Sequence, residues 1–342
     1  MDYPLSMYWR DVVFLNFRCN PAIVQKHLPK SMRVELFEGQ AVLTIAFLKM
    51  QDLEIRYIPK ILSQDFVECN LRTYVSCIDK KGVFFFSLDT DVLLEVLGAN
   101  LLFSLNYRYR KVDITIEDQI YTFFEKSWFS RKKGTLFQGT ILKTVKHLAA
   151  IDVFISERTS YFVEKRGILF EGKVDHPDWE FYPLEPKNFH TDLLDRFERA
   201  EIESALYAKG FEVKANTIQP AFNPIIFFDA SCGLCSLCVR FLIFADRNEY
   251  FKFAPIEGKT FYELDKKDQR TNQIILSEKI RVSHGSLALL RGLSYLPWYL
   301  RFLKILEIFP QRWLDRAYKF VALRRKICPL KVQKISEKRL LP

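Results

Sequence analysis

The chain has 342 residues and a formal net charge of +10, and 49% of its residues are hydrophobic. This length exceeds what a single hydrophobic core usually supports, so it predicts two domains. No stretch of 18 residues is free of charge, which argues against a membrane-spanning helix, and the N-terminal residues lack the pattern of a signal peptide. The seven cysteines are mostly scattered, which excludes a disulfide framework and favours a cytoplasmic protein.

The first two hundred residues are predicted to be rich in β-strands. Apolar segments separated by turn residues lie at 41–47, 69–78, 83–89, 104–116, 120–129 and 168–174. Short helices are predicted at 20–27, where Asn20 precedes a proline, and at 91–99. A longer helix is predicted over 191–209, ending at Gly210, because apolar residues recur there with helical spacing. Many strands and few helices indicate an antiparallel β-barrel.

Several segments of this half resemble the YqjF-like family. The matching segments are 9–11, 21–29, 68–75, 82–88, 156–161 and 176–179. The resemblance covers roughly residues 5–205 and implies a fold similar to that of acetoacetate decarboxylase, without a settled function. That enzyme forms a Schiff base through a lysine. The corresponding place here holds Asn106, Tyr107 and Arg108, and an arginine stays protonated, so the decarboxylase mechanism is not expected.

A polar cluster is predicted on one strand of this barrel. Glu68, Asn70 and Arg72 alternate along the chain, so their side chains share one face of the strand. If that face lines the interior, these residues form a small-ligand site, with His176 as a further candidate contact. Two alternatives remain open. Glu68 and Arg72 simply pair at the surface, or His176 is a loop residue with no chemical role.

The most informative segment of the chain is 227–241. An apolar run at 225–228 predicts a buried strand, and Asp229 and the C-x-x-C pair Cys232 and Cys235 follow it before an apolar helical pattern. A C-x-x-C pair between a strand and a helix is typical of a thioredoxin-like redox site. Because a helix N-terminus favours a negative charge, Cys232 is predicted to be the attacking thiolate and Cys235 the resolving thiol.

Other interpretations of these cysteines remain open. The pair is half of a zinc site, but His284 is the nearest downstream histidine and no second pair is present. Cys238 extends the run towards an iron–sulfur pattern, and such a cluster would have to recruit Cys328 or a partner protein as its fourth ligand. A third alternative is that all are structural thiols. We favour the redox dithiol, expect no metal and no cofactor, and predict that Cys238 is a core residue of the helix.

Residues 224 to about 330 resemble the DCC family of predicted thiol-disulfide oxidoreductases. The family name describes the Asp-x-x-Cys-x-x-Cys pattern, here Asp229, Cys232 and Cys235, and further matches lie at 253–255, 283–290 and 314–325. The resemblance implies redox chemistry and a thioredoxin-like fold. Thioredoxins place a cis-proline before the third core strand, predicted here at 273–276. Residues 270–272 contain no proline, so the substrate groove is expected to differ.

The C-terminal residues are strongly basic. Residues 310–342 contain ten lysines or arginines and two acidic residues. A helix with a wide apolar surface is predicted at 296–309 just before them. It is expected to pack into the protein core, and peripheral docking on an anionic membrane is the alternative. No nucleic-acid motif accompanies the charge, so no specific nucleic-acid partner is expected.

The sequence therefore predicts an α+β protein with two domains. Residues 1–210 are assigned to an N-terminal acetoacetate-decarboxylase-like antiparallel β-barrel, 211–223 to a linker, 224–330 to an α/β thioredoxin-like domain and 331–342 to a basic tail. The expected function is thiol-disulfide oxidoreduction with a protein or a small thiol as partner, fused to a barrel that binds a small molecule. The alternatives are a redox sensor without turnover, and a barrel enzyme acting on a small carbonyl or carboxylate.

Overall fold

A computed structural model of the chain describes residues 3–56, 65–93, 96, 105, 107–126, 134–144, 147–165, 167–197, 201–269, 273–324 and 337–342. The chain divides into two compact units, Met1–Gln219 and Pro220–Pro342. The boundary lies within the predicted linker, but residues 211–215 of that linker belong to a long strand of the first unit. The assignment of these five residues to a linker was therefore wrong.

The N-terminal unit consists mainly of β-strands. Its strands are β1 (Leu5–Cys19), β2 (Arg33–Val34), β3 (Leu36–Phe37), β4 (Gln40–Ile55), β5 (Phe66–Cys77), β6 (Lys80–Thr90), β7 (Tyr107–Tyr109), β8 (Lys111–Glu117), β9 (Ile120–Lys126), β10 (Thr135–Ile141), β11 (Ser160–Lys165), β12 (Ile168–Asp175), β13 (Tyr182–His190) and β14 (Ile202–Ala215), followed by β15 (Gln219–Pro220) at the boundary. Two short helices accompany them, α1 (Pro21–Lys26) and α2 (Ala150–Ser156).

These strands form one large sheet. Its central order is β12-β11-β6-β5-β4-β1-β14, and β14 also pairs with β12, as in the pair Val174 and Ala215. On its other side the sheet continues through β13, β10, β9 and β8. Most neighbours are antiparallel, but β6 pairs in parallel with both β7 and β11. The prediction of a sheet-rich unit is confirmed, and the prediction of purely antiparallel pairing is wrong for β6.

The helix predicted over 191–209 is absent from the described part of this region. Residues 202–215 form β14, which pairs with β1 from Phe17 to Leu5. Gly210 is not a helix cap but lies within this strand at φ +115°, where a Cβ atom would be 1.8 Å from the carbonyl oxygen of Trp9. The long ladder with β1 outweighs the helical spacing of the apolar residues, because tertiary pairing overrides weak local propensity.

The short helix predicted at 20–27 is confirmed as α1. Its cap is Asn20, whose side-chain oxygen accepts a hydrogen bond from the Ala22 backbone N–H at 2.9 Å. The helix predicted at 91–99 and Asn106 lie largely or wholly outside the described residues. Aromatic rings fill much of the core, as in the stacked pair Phe47 and Phe123, whose centroids are 3.8 Å apart.

The C-terminal unit has a four-stranded sheet in the order β17-β16-β18-β19. The strands are β16 (Ile225–Phe228), β17 (Lys252–Pro255), β18 (Ile275–Ser277) and β19 (Val282–His284). The helices are α3 (Gly233–Ala245), α4 (Lys259–Tyr262), α5 (Gly285–Gly292) and α6 (Gln311–Arg324), with 3-10 helices at Leu293–Tyr295, Trp298–Ile308 and Glu337–Arg339. β16 is parallel to β17 and antiparallel to β18, so β16, α3 and β17 form a βαβ unit.

Residues 337–342, predicted to belong to a basic tail, are packed into this unit. Leu340 forms a bridge with Phe253, and the Leu341 backbone N–H donates to the Phe253 carbonyl at 2.7 Å. The Arg339 side chain is buried and pairs with Asp246. The unit therefore extends beyond residue 330, because the backbone of these residues covers the edge strand β17. Residues 331–336 lie outside the described residues.

Several apolar side chains predicted to lie in the core of this unit are exposed. Ile305, Ile308 and Phe309 are exposed in and after the 3-10 helix that replaces the predicted helix, with 78% of Ile308 accessible. Phe244 and Cys238 on α3 are exposed as well. The prediction that the 296–309 segment is core is therefore wrong for residues 305–309, whereas Leu296 is buried, and the prediction that Cys238 is a core residue is wrong. No helix among the described residues is long and apolar enough to cross a membrane.

Candidate functional site

Cys232 occupies the N-cap position of α3, at the carboxyl end of β16. Its Sγ accepts a hydrogen bond from the Cys235 backbone N–H at 3.4 Å, and its carbonyl oxygen accepts from the Ser236 N–H at 3.0 Å. The sulfur therefore receives one of the free N–H groups of the first helical turn, where negative charge is stabilised. Cys232 is thus the cysteine of the C-x-x-C pair whose sulfur is bonded to the start of α3.

Asp229 shapes the loop between β16 and α3. One oxygen of its carboxylate accepts hydrogen bonds from the Ser231 backbone N–H at 3.0 Å and from the Ser231 hydroxyl at 2.6 Å. Its carbonyl oxygen accepts from the Cys232 N–H at 3.2 Å. These contacts form an Asx turn that fixes the backbone immediately before Cys232. Asp229 thus orders the loop that leads into Cys232.

The three cysteines of α3 differ in exposure. Cys232 is 8% exposed, Cys235 is half-buried and Cys238 is exposed. None of the three forms a disulfide. Partial desolvation and the nearby Cys232 raise the pKa of the Cys238 thiol, which makes it a weaker nucleophile at neutral pH. The sequence placed Cys232 and Cys235 correctly on the strand–helix turn, and it did not reveal that Cys238 faces outward.

An apolar cavity of about 350 Å³ lies beside Cys235 in the C-terminal unit. Cys235 and Cys238 line it, together with leucines of α5 and α6 such as Leu289, Leu290 and Leu314. Tyr318 and Ala317 of α6 also line it, within the segment 314–325 that matches the DCC family. The Asp315 carboxylate accepts from the Ser286 hydroxyl at 2.5 Å, and the Tyr318 hydroxyl accepts from the Ile274 N–H at 2.9 Å. These bonds hold α6 against α5 and β18.

The zinc and iron–sulfur hypotheses both require several ligand atoms close together. Among the described residues, no such group of ligand atoms surrounds these cysteines. Cys232, Cys235 and Cys238 do not bring three ligand atoms within 4.8 Å of one another. His284 lies elsewhere, with its Nε2 at 3.0 Å from the Asp268 carbonyl oxygen. Cys328, the candidate fourth cluster ligand, lies outside the described residues. So do residues 270–272, where the absence of a proline predicts a substrate groove unlike that of thioredoxin.

A second cavity, of about 190 Å³, lies in the N-terminal unit. Three of the four predicted ligand residues, Glu68, Arg72 and His176, line it. Asn70 does not, but its Nδ2 donates to Glu68 Oε1 at 2.8 Å and so supports that carboxyl. The alternative of a surface pair is wrong, because Glu68 is buried. His176 lies in an aromatic cluster, stacked on Phe211 with ring centroids 5.5 Å apart.

Residues that no local pattern could have indicated complete this cavity. Tyr107, from the place of the decarboxylase lysine, lines it and donates its hydroxyl hydrogen to Glu68 Oε2. Trp9 on β1, Arg158 after α2 and Trp179 before β13 also line it. They come from distant parts of the chain, so only the topology brings them to Glu68. Trp9 and Trp179 lie in segments that match the YqjF-like family, which gives no sign that they share a site.

Glu68 is held in a low-dielectric site. Burial raises the pKa of its carboxyl, and the hydrogen bonds from Tyr107 and Asn70 and the charge of Arg72 only partly oppose this shift. The neutral form is therefore favoured in the folded protein relative to the unfolded chain. Because the pKa of Glu68 is raised in the folded state, this group favours folding fully only at pH values below its ordinary pKa of 4.5. That contribution to the free energy of unfolding is lost as the pH rises through the folded-state pKa.

Substitution Glu68→Gln is consequently expected to stabilise the N-terminal unit at neutral pH. The amide is uncharged, its oxygen can accept from Asn70 and its nitrogen can donate to the Tyr107 oxygen. The gain should shrink as pH falls towards 4.5, where wild-type Glu68 is also neutral. Urea unfolding of the variant and the wild-type protein at several pH values measures this difference in the free energy of unfolding. Glu212→Gln, at an exposed site on β14, should change the free energy of unfolding by no more than about 0.5 kcal/mol. Lower stability of Glu68→Gln at neutral pH would mean that Glu68 is ionised.

Arg108 and Arg110 belong to a separate buried cluster. Arg108 binds both oxygens of Asp89 at 2.6 Å, and Arg110 Nη1 lies 2.7 Å from Glu125 Oε1. Cys69, Asp89 and Glu125 bring one ligand atom each within 4.8 Å of one another. The arginines already neutralise the two carboxylates, and burial raises the pKa of the Cys69 thiol far above its usual range. We therefore assign this cluster a structural role and do not propose a metal there.

Two family models match the chain. The first, DUF2071, is described as an uncharacterized conserved protein and matches residues 6–212, more than half of the sequence. The chain belongs to the DUF2071 family. In this DUF2071 protein, residues 226–329 match a second model, the DCC1-like thiol-disulfide oxidoreductase. Both resemblances predicted from the sequence are thereby confirmed at the level of the family.

One curated relative and several solved structures resemble the N-terminal unit. The uncharacterized protein YqjF of Bacillus subtilis (strain 168) is 28% identical over 176 residues, covering 50% of this chain and 72% of the relative. An acetoacetate decarboxylase structure superposes with a TM-score of 0.50 at 11% identity, covering 64% of this chain and 90% of that chain. The acetoacetate decarboxylase of Legionella pneumophila gives a TM-score of 0.49 at 15% identity, with coverages of 64% and 87%. The N-terminal unit therefore has a fold similar to that of acetoacetate decarboxylase.

Proposed function

We propose that the C-terminal unit catalyses thiol–disulfide exchange through Cys232 and Cys235, and that the N-terminal unit binds a small ligand in its cavity. The observation that supports the first part best is the position of Cys232. It caps α3 directly after β16, and its sulfur receives the Cys235 N–H. The DCC1-like match over residues 226–329 is consistent with this chemistry.

The proposed exchange has two steps. The Cys232 thiolate attacks one sulfur of a substrate disulfide, which forms a mixed disulfide and releases the other sulfur as a thiolate that takes up a proton. Cys235, as a thiolate, then attacks the Cys232 sulfur and releases the second substrate thiol. The protein ends as the Cys232–Cys235 disulfide and the substrate disulfide has been reduced to two thiols. An external dithiol or two small thiols must reduce the protein again.

The topology of the unit supports a thioredoxin-like fold for this chemistry. The βαβ unit formed by β16, α3 and β17 places the C-x-x-C pair at a strand–helix turn, and the antiparallel strands β18 and β19 extend the sheet on the other side. The apolar cavity at Cys235 and Cys238 indicates that the partner thiol or disulfide, in a protein or a small molecule, carries an apolar group.

Mass spectrometry of the full chain in graded redox buffers tests the assignment. With rising oxidant, differential alkylation should show Cys232 and Cys235 losing reactivity together as one disulfide, while Cys19, Cys69 and Cys77 keep their thiols because they are buried. A disulfide that joins Cys235 to Cys238 instead would contradict the assigned pair. A reversible disulfide without turnover of any disulfide substrate would favour the redox sensor over the enzyme.

For the N-terminal unit we infer a barrel in which the ring of pairings from β12 to β14 surrounds the cavity lined by Glu68, Arg72 and His176. A barrel enzyme acting on a small carbonyl or carboxylate is the alternative.

Contact with an anionic membrane is a further proposal. It is favoured by the exposed Ile308 and Phe309 next to basic residues of α6 such as Arg312, since apolar and basic side chains together suit an anionic lipid surface.

A further inference from the structure

We propose that the cavity of the N-terminal unit binds a small carboxylate that carries an apolar group about the size of a benzene ring, with its carboxylate at Arg72. This inference rests on the proposed ligand-binding role of the unit and names the class of ligand. It is independent of the dithiol chemistry of the C-terminal unit.

The cavity contains one guanidinium without a counter-ion. Within the described part of the chain, no carboxylate oxygen lies within 4.0 Å of the Arg72 nitrogens. Arg158, the second arginine at the cavity, is different, because its Nη2 lies 3.0 Å from Glu35 Oε2. A cation in an apolar cavity is costly unless an anion neutralises it. Glu35 is shared between Arg158 and Lys81, so the Arg72 guanidinium, with no carboxylate oxygen close to it among the described residues, favours an anionic ligand.

The polar atoms around the cavity include more donors than acceptors. The N–H groups of Trp9 Nε1, Trp179 Nε1 and Arg72 Nε are buried and have no acceptor among the described residues. The carboxyl of Glu68 already accepts from Asn70 and Tyr107, and burial favours its neutral form. Buried donors are rarely left without a partner in folded proteins. A ligand rich in acceptor oxygens would correct this imbalance.

The geometry of Arg72 suits a carboxylate. Its guanidinium carbon lies 4.5 Å from the centroid of the Phe14 ring, so one face of the group is covered. Stacking of this kind fixes the plane of a guanidinium and leaves its edge for bonds in that plane. A carboxylate is planar as well and binds two N–H groups of such an edge in parallel.

The remaining wall determines the size and the polarity of the ligand. Phe66, Val83, Phe85 and Ile155 are among the apolar residues that line the cavity. A cavity of roughly 150 Å³ lined by apolar side chains is known to hold benzene. The cavity here, at about 190 Å³, is slightly larger and includes the polar site at Arg72. Its dimensions therefore match a molecule such as benzoate.

Calorimetric titration of the full chain with benzoate and with benzamide tests the inference. The two probes have the same ring and nearly the same shape, but only benzoate is charged. Benzoate should bind saturably and roughly tenfold or more tightly than benzamide, because a hydrogen bond to a charged group contributes more than a neutral one. In Arg72→Met, the affinity for benzoate should fall to that for benzamide.

Matched variants separate the role of Arg72 from effects on folding. Arg18→Met changes an arginine on β1 that pairs with Glu38 and Glu203 away from the cavity, and it should leave benzoate binding unchanged. If Arg72→Met does not fold by circular dichroism, Arg72→Lys keeps the charge without the planar edge. It should weaken benzoate binding and leave benzamide binding unaltered.

The outcomes distinguish the ligand class from ligand binding itself. Equal affinities for benzoate and benzamide would overturn the carboxylate assignment while the cavity remained a ligand site. Binding of benzoate that is unchanged in both Arg72 variants would overturn the assignment of the carboxylate to Arg72. If neither probe binds, the assigned ligand class is wrong; binding of a different small molecule that Arg72→Met does not affect would then leave the ligand-binding role in place.

Discussion

Substitution Cys232→Ser is expected to abolish disulfide reduction, and Cys235→Ser is expected to stop it after the first step. A serine hydroxyl at the N-cap of α3 cannot form the mixed disulfide, so no substrate thiol should be released. In Cys235→Ser, Cys232 still attacks, but no second thiol resolves the product. One equivalent of thiol should then appear and a mixed disulfide should accumulate. A coloured aryl thiol released from an aryl disulfide measures both outcomes, and intact-mass spectrometry detects the trapped species.

Two further variants on α3 define what this result means. Ser236→Ala removes a buried hydroxyl that has no hydrogen-bond partner among the described residues, and it serves as the matched control with near wild-type turnover. Cys238→Ser tests the overlapping C-x-x-C pair, Cys235 and Cys238. Complete loss of turnover in Cys238→Ser, together with activity in Cys232→Ser, would show that the exposed pair reacts and that the assigned roles are wrong.

Substitution Arg339→Ala should strongly destabilise the C-terminal unit. The guanidinium pairs with Asp246 in the interior, and its Nε donates to the Phe251 carbonyl at 3.0 Å. Without it, the Asp246 carboxylate remains buried with backbone donors such as the Phe251 N–H, at 2.8 Å, but without a counter-ion. Breaking a buried ion pair from one side costs about 3–5 kcal/mol.

Hydrogen exchange resolved by peptide measures this loss in the intact chain. Protection should fall in α3 and β17 and remain unchanged in the N-terminal strands. Lys338→Ala is the matched control, because the neighbouring Lys338 is 77% exposed and its bond to Glu249 is 3.2 Å long. An exposed pair contributes at most about 1 kcal/mol. Equal effects of the two substitutions would indicate that Arg339 is not a structural element of the unit.

The sequence predicted the C-terminal sheet well because its signals are local. β16 was predicted at its observed bounds, and the strand–turn–helix pattern around Cys232 requires only adjacent residues. The contribution of residues 337–342 could not be predicted in this way. Arg339 and Asp246 are 93 positions apart, and a basic segment gives no sign that one of its charges is buried.

The N-terminal unit was harder to predict because its partners are distant in sequence. Residues 202–215 have apolar positions that fit a helix, and only the ladder with β1, with Leu206 opposite Phe14, makes them a strand. The candidate ligand site was partly predictable for a similar reason. Alternation along β5 placed Glu68 and Arg72 on one face, whereas Trp9 and Arg158 reach the same cavity through topology alone.

The late position of Arg339 has a consequence for synthesis of the protein on the ribosome. Asp246 is translated 93 residues before the arginine that neutralises it. At ordinary elongation rates this interval lasts about 5–20 s. Late in that interval the nascent C-terminal unit already contains Cys232, Cys235 and the edge strand β17. It still lacks the buried Arg339–Asp246 ion pair and the backbone segment that covers β17. The C-terminal unit can therefore reach its native packing only after residues 337–342 have been synthesised, well after Cys232 and Cys235.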